Sequence, residues 1–271
     1  MKRRIIAAAI LLPLLLVVLF VLPPIFMTLL LGVACAIGAY ELLLGTGLLK
    51  HPRLVIYAML MAFLVPLWCY FGCSHAWGLV GGLVFCALLF GEMLLSKAKL
   101  RLEKVLLCIG AGLIVPYLLA SVLRIRMMET GICFIAAPFI MAFMSDTGAY
   151  FVGIFYGKHK LAPSISPKKT VEGFFGGIAG SVLGMMIYSL ILALGFSLQV
   201  NFLYGILYGV LGSLASVMGD LTFSVIKRQT GIKDYGNLIP GHGGALDRFD
   251  SLVLVAPLVE ALLLLMPIVV S

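Results

Sequence analysis

The sequence predicts an all-α integral membrane protein, a polytopic bundle of about nine transmembrane helices with its N-terminus on the cytoplasmic side. Three observations predict it. A mean hydropathy of +1.19, with 63% hydrophobic and only 11% charged residues, excludes an ordinary soluble domain, in which about half the residues are apolar. Apolar runs of about 17–25 residues recur along nearly the whole chain, the length that crosses ~30 Å of hydrocarbon. With the chain starting inside and crossing nine times, seventeen of the nineteen Lys and Arg residues fall on the cytoplasmic side, as basic residues do in membrane proteins.

The nine runs are 5–22, 25–44, 54–72, 76–95, 105–123, 131–155, 173–195, 202–226 and 251–270. Lys2-Arg3-Arg4 ahead of the first run resembles a signal peptide. The apolar character continues past Pro24 without a convincing cleavage site, so an uncleaved span is expected. The tight turn at Pro23-Pro24 also allows residues 5–44 to form a re-entrant or broken pair. Up to about residue 130 the spans are nearly pure Leu, Val, Ala and Met, with Glu41 and Glu92 as their acids. Each acid lies near a cytoplasmic end where it is expected to reach water. The six cysteines lie in or beside apolar runs without metal-ligand spacing and read as apolar filler.

Residues 131–271 differ, because polar groups enter the spans. Asp146, Tyr150, Gly153 and Gly157 share one helical face. Gly209, Ser213, Ser216, Asp220, Ser224 and Lys227 follow at steps of three and four, a stripe that must face protein or a watery cavity. Packing glue accounts for the Gly and Ser positions. It does not account for Asp146 and Asp220, for which a functional role is expected.

Two cytoplasmic loops, 157–172 and 227–250, complete the pattern. In the first, Ser166-Pro167-Lys168-Lys169-Thr170 runs directly into the start of a helix, where lysines and helix N–H groups together favour an anion. The second carries Lys227, Arg228, Lys233, Asp234, His242, Asp247, Arg248 and Asp250, with Gly241, Gly243 and Gly244 among them. Lys and Arg hold phosphate oxygens, Asp holds Mg²⁺, and glycines let backbone N–H groups approach an anion. That inventory suits phosphoryl or nucleotidyl transfer at a membrane surface. Asp250 could also serve only as the N-cap of the last span.

The stretch from Ser224 to Asp250 resembles the signature of phosphatidate cytidylyltransferases, also called CDP-diacylglycerol synthases. The match rests on Ser224, Lys227, Arg228, Lys233, Asp234, Pro240, His242, Gly243, Gly244, Asp247, Arg248 and Asp250. Ala245 stands where the family usually places a larger aliphatic residue. The Ser145-Asp146 segment and Ser166 to Gly173 look like the same family, while the N-terminal half resembles it only in hydropathy. The resemblance implies the reaction of CTP with phosphatidic acid to give CDP-diacylglycerol and pyrophosphate, in phospholipid biosynthesis. It implies Mg²⁺ and a second cation, with Asp220 and Asp247 as main ligands and Asp146 a third. Lys168, Lys169, Ser224, Lys227, Arg228, Lys233 and Arg248 are then expected to bind substrate. His242 is expected either to orient a phosphate or protonate the leaving group, or simply to structure its loop.

A CTP-dependent lipid kinase of the polyprenol or dolichol type would use the same residue types, and the closeness of the motif favours cytidylyl transfer over it. A transporter would place ionisable residues near the bilayer midplane, whereas here they crowd toward the cytoplasmic face. The formal charge of +8 points to anionic lipid headgroups and nucleotides, not to nucleic acid. The expected location is a bacterial inner membrane with the site facing the cytoplasm. The small-residue run from Gly173 to Gly184 suits packing within the chain or a homodimer equally well.

Overall fold

The computed structural model describes residues 13–72, 74–96, 99–236 and 243–269. Among these, seven helices are long and apolar enough to cross a membrane: Pro24–Gly45, Pro52–Phe71, His75–Leu95, Leu102–Met127, Gly131–Tyr156, Val171–Gly195 and Phe202–Gln229. They coincide with the second to eighth runs expected from the sequence, and the chain is an integral membrane protein. Of the first run, residues 5–12 lie outside the described residues and 13–20 are helical. The ninth run differs from expectation. Its helix, Leu252–Leu265, has 14 residues, or roughly 21 Å at the helical rise, short of a full crossing. The helical class holds, with one addition: the loop expected at 157–172 contains a two-stranded hairpin.

The chain forms two compact units, Met1–Met127 with Gln229–Phe249, and Met128–Arg228 with Asp250–Ser271. In the first, α1 (Pro24–Tyr40) opens with a proline at its first turn, where a missing N–H costs nothing. It runs on into a π-helical turn at Glu41–Gly45. Helix α2 (Pro52–Phe71) starts in the same way and ends at Gly72, whose φ of 57° is the left-handed conformation that closes helices. Helices α3 (His75–Leu95) and α4 (Leu102–Met127, with a π turn at Gly110–Ile114) complete the apolar part. The Leu79, Leu83, Leu94 and Leu95 side chains of α3 are exposed, as a lipid-facing surface requires.

The second unit is built on α5 (Ala137–Tyr156) and α6 (Val171–Gly195), an antiparallel pair packed through glycine. A Cβ at Gly180 would lie 2.5 Å from the Met144 carbonyl oxygen, and one at Gly177 3.1 Å from that of Ser145. The backbones therefore touch, as small residues permit in membrane helices. The Gly173–Gly184 run, open between intramolecular and dimer packing in the sequence, is used within the chain. Between these helices lies the hairpin, β1 (Lys160–Ala162) and β2 (Ser166–Thr170), with Lys160 opposite Thr170 and Ala162 opposite Ser166. Helix α7 (Phe202–Gln229) buries Gly209, Ser213, Ser216 and Ser224, so the polar stripe does face protein. Ser213 shares a 2.8 Å hydrogen bond with Ser145 of α5. Helix α8 (Leu246–Phe249) belongs to the first unit and α9 (Leu252–Leu265) to the second.

Candidate active site

In the second unit, Asp146 and Tyr150 of α5, Lys168 and Lys169 of β2, Phe174 of α6 and Val217 of α7 line a cleft of about 200 Å³. The helical spacing of Asp146 and Tyr150 brings both to it, as one face of α5 requires. Asp220 lies one turn after Val217 on α7. Its carboxylate carries the Lys169 ammonium on Oδ2, both side chains being about a quarter exposed (24% and 26%). The Ser224 hydroxyl donates to Oδ1 at 3.2 Å. Lys169 is thus engaged with an acid rather than open to an anion, a role the sequence did not indicate. Lys168, its neighbour on the strand, also lines the cleft and is exposed.

The hairpin explains why residues 160–170 are positioned rather than loose. Thr170 caps α6, its hydroxyl accepting the Gly173 N–H at 3.1 Å. Glu172 accepts the Lys158 N–H at 3.1 Å and contacts His159 Nδ1 at 2.6 Å. The helix N–H of Gly173 is therefore satisfied internally, as is that of Val171, which donates to the His159 carbonyl oxygen at 2.9 Å. Arg228, at the end of α7, donates from Nε to the Ile165 carbonyl at 3.0 Å and ties the hairpin turn to that helix.

Asp250 is not the N-cap of α9. Ser251 holds that position, and Asp250 Oδ1 accepts the Ser251 N–H at 2.8 Å. Burial first, and then the Asp220 charge, push the Asp250 carboxyl up to about 7, with Asp146 adding to the effect and Lys227 opposing it. Asp146, Asp220, Asp250 and Lys227 therefore act on one electrostatic neighbourhood. A Cβ at Gly219 would meet the Asp250 carbonyl at 2.6 Å, so α7 approaches this turn at backbone contact.

The remaining motif residues lie in the first unit. Lys233 and Asp234 are exposed in the turn after α7. Asp247 Oδ2 accepts the N–H of Tyr235 at 2.9 Å and that of Gly244 at 3.0 Å, which closes the loop on itself. Gly243 has a φ of 82°, a conformation that a side chain would strain. Arg248 is exposed on α8. Sequence reasoning missed Glu41. Far from reaching water, it is 4% exposed and accepts the N–H groups of Ala245 and Leu246 at 3.0 and 2.9 Å. No local signal links residues 41 and 245. His242 lies outside the described residues.

Among the described residues, no group of three or more His, Cys, Asp or Glu side chains is placed to hold a metal ion. Of the three expected ligands, Asp146 and Asp220 belong to the second unit and Asp247 to the first.

Seven long apolar helices define an integral membrane protein, and the chain belongs to the cytidylyltransferase family, whose pattern it matches over residues 2–266. A phosphatidate cytidylyltransferase of Pseudomonas aeruginosa is 38% identical over 271 aligned residues, covering 97% of both chains. Proteins of the same name from Staphylococcus epidermidis and Staphylococcus saprophyticus are 41% and 40% identical over 134 residues, 49% of this chain and 50% of theirs. The chain thus spans about half the length of the staphylococcal relatives it matches.

Proposed function

We propose that this chain transfers the cytidylyl group of CTP to phosphatidic acid, giving CDP-diacylglycerol and pyrophosphate. A phosphate oxygen of the lipid attacks the α-phosphorus of CTP and forms a new phosphoanhydride bond. The α–β bond breaks, and its electron pair leaves with pyrophosphate. The lipid phosphate monoester is already largely ionised at neutral pH, so the attack needs little help from a base. The obstacle is repulsion between two anions.

The observation that carries this reading is Asp220 paired with Lys169 beside the cleft, an acid and a cation held together in a chain that is only 11% charged. Lys169 exchanges Asp220 for a substrate phosphate oxygen when substrate arrives, while Ser224 keeps the carboxylate oriented. Lys168, Lys227, Arg228, Lys233 and Arg248 supply further positive charge for triphosphate and lipid phosphate. Asp220 and Asp146 fit a divalent cation such as Mg²⁺, which is commonly held by one or two carboxylates together with substrate phosphates. Asp220 already carries a cation in the form of the Lys169 ammonium. Bound there with a second cation, the metal would neutralise the reacting phosphates and the leaving pyrophosphate. Asp247 is proposed as a third carboxylate, and His242 as a phosphate-orienting group, on the motif alone.

The one-sided distribution of Lys and Arg supports a site facing the cytoplasm, where CTP is dissolved, with the lipid entering from the inner leaflet of a bacterial cell membrane. The test is stoichiometry with purified protein, phosphatidic acid, CTP and Mg²⁺. Pyrophosphate should appear one-to-one with CDP-lipid, and adding pyrophosphate should reverse the reaction. Free CDP with a newly phosphorylated lipid would replace this reading with a lipid kinase.

A further inference from the structure

Glu41 is the one buried charged side chain among the described residues. It stands where α1 widens into the π turn Glu41–Gly45, a local irregularity that often accompanies function. An acid is costly to bury unless its oxygens are hydrogen-bonded, and here both are, by consecutive backbone N–H groups of Ala245 and Leu246. Three glycines make the room. A Cβ at Gly244 would lie 2.5 Å from Oε2, one at Gly236 2.5 Å from Oε1, and one at Gly45 2.9 Å from the Tyr235 carbonyl oxygen.

The two flanks of the motif loop, around residues 235–236 and 243–246, thus close on a single carboxylate. Asp247 grips the same turn through the N–H groups of Tyr235 and Gly244. We infer that Glu41 is a positioning residue for cytidylyl transfer, which holds the backbone carrying Asp247 and Arg248 in its working conformation. The inference rests on the reaction proposed above. It gives the N-terminal half of the chain, in which the sequence shows no catalytic motif, a part in the chemistry. An amide cannot replace the carboxylate: one of its ends would present an N–H to a backbone N–H.

The test compares wild type, Glu41→Gln and Gly244→Ala in lipid nanodiscs, by turnover of CTP with phosphatidic acid and by hydrogen exchange of backbone amides. Glu41→Gln should lower kcat roughly 10- to 100-fold, the scale of a misplaced catalytic group. Exchange should quicken at Ala245 and Leu246 while the spans exchange as in wild type. Gly244→Ala, which leaves the acid in place and crowds it, should reproduce both effects. Wild-type turnover in Glu41→Gln would overturn the inference. So would lost turnover with unchanged exchange over residues 243–249, or exchange quickened along the whole chain. A wild type that moves no cytidylyl group would sink the reaction instead, and the exchange arm would still decide whether Glu41 holds this segment.

Discussion

Removing Asp220 should separate what its ion pair does for the fold from what its charge does for the reaction. In Asp220→Asn the Lys169 ammonium loses its acid, and Ser224 keeps a weaker, neutral acceptor. A charge-assisted hydrogen bond is worth about 1.5–3 kcal/mol. With both side chains about a quarter exposed, solvent screening discounts this pair to the low end of that range or just below it, ~1–2 kcal/mol. At roughly 2–4 °C per kcal/mol for a chain of this size, the melting temperature in detergent should fall by several degrees. Lys169→Ala should cost a similar amount, and the double variant should cost less than the two together, with a coupling of about 0.5 kcal/mol or more. Turnover should behave differently. Asp220→Asn should lose ~10³-fold, about 4 kcal/mol of transition-state stabilisation, and Lys169→Ala should not rescue it. Strictly additive stabilities would show that the two side chains do not pair. Near-normal turnover in Asp220→Asn, with normal insertion, would remove Asp220 from the reaction.

Gly180→Val should abolish or severely reduce the folded yield, since its Cβ would sit 2.5 Å from the Met144 carbonyl oxygen and overpacking costs about 1–3 kcal/mol or more; a normal melting profile would contradict the α5–α6 contact. Asp250 gives a pH dependence with a definite sign. Its folded value of about 7 lies above the ordinary 3.8, so the stability it contributes is present in acid and is lost as pH rises through about 7. The melting temperature of Asp250→Asn should therefore fall less than that of wild type between roughly pH 5 and pH 8, and identical profiles would contradict the shift. Ser164→Cys, in the hairpin turn, should resist an impermeant thiol reagent in intact cells and react after lysis; labelling of intact cells would reverse the orientation.

The spans were legible because about twenty apolar residues in a row admit little else, and the stripe from Gly209 to Lys227 disclosed its protein-facing side by spacing alone. The hairpin was hidden. Pro163, Pro167 and paired lysines read as a basic loop, and a two-stranded turn this short leaves no alternating apolar pattern. The end of the chain misled for another reason: residues 251–270 are apolar apart from Ser251 and Glu260, but the helix stops at Leu265, and hydropathy does not record where a helix ends. Site chemistry was visible as residue types, while partners were not. Nothing in Ser-Pro-Lys-Lys-Thr says that Lys169 meets Asp220, fifty-one positions on. A lone Glu41 in an apolar run likewise gives no hint of Ala245 and Leu246, because long-range contacts leave no local period.

The central claim is that the α-phosphorus of CTP moves to phosphatidic acid. It is tested most directly with purified chain and CTP labelled differently at the α and γ phosphates. The account predicts that the α label enters the lipid fraction, that the γ label leaves as pyrophosphate, and that transfer requires a divalent cation. Entry of the γ label into lipid, with the α label left in CDP, would contradict it.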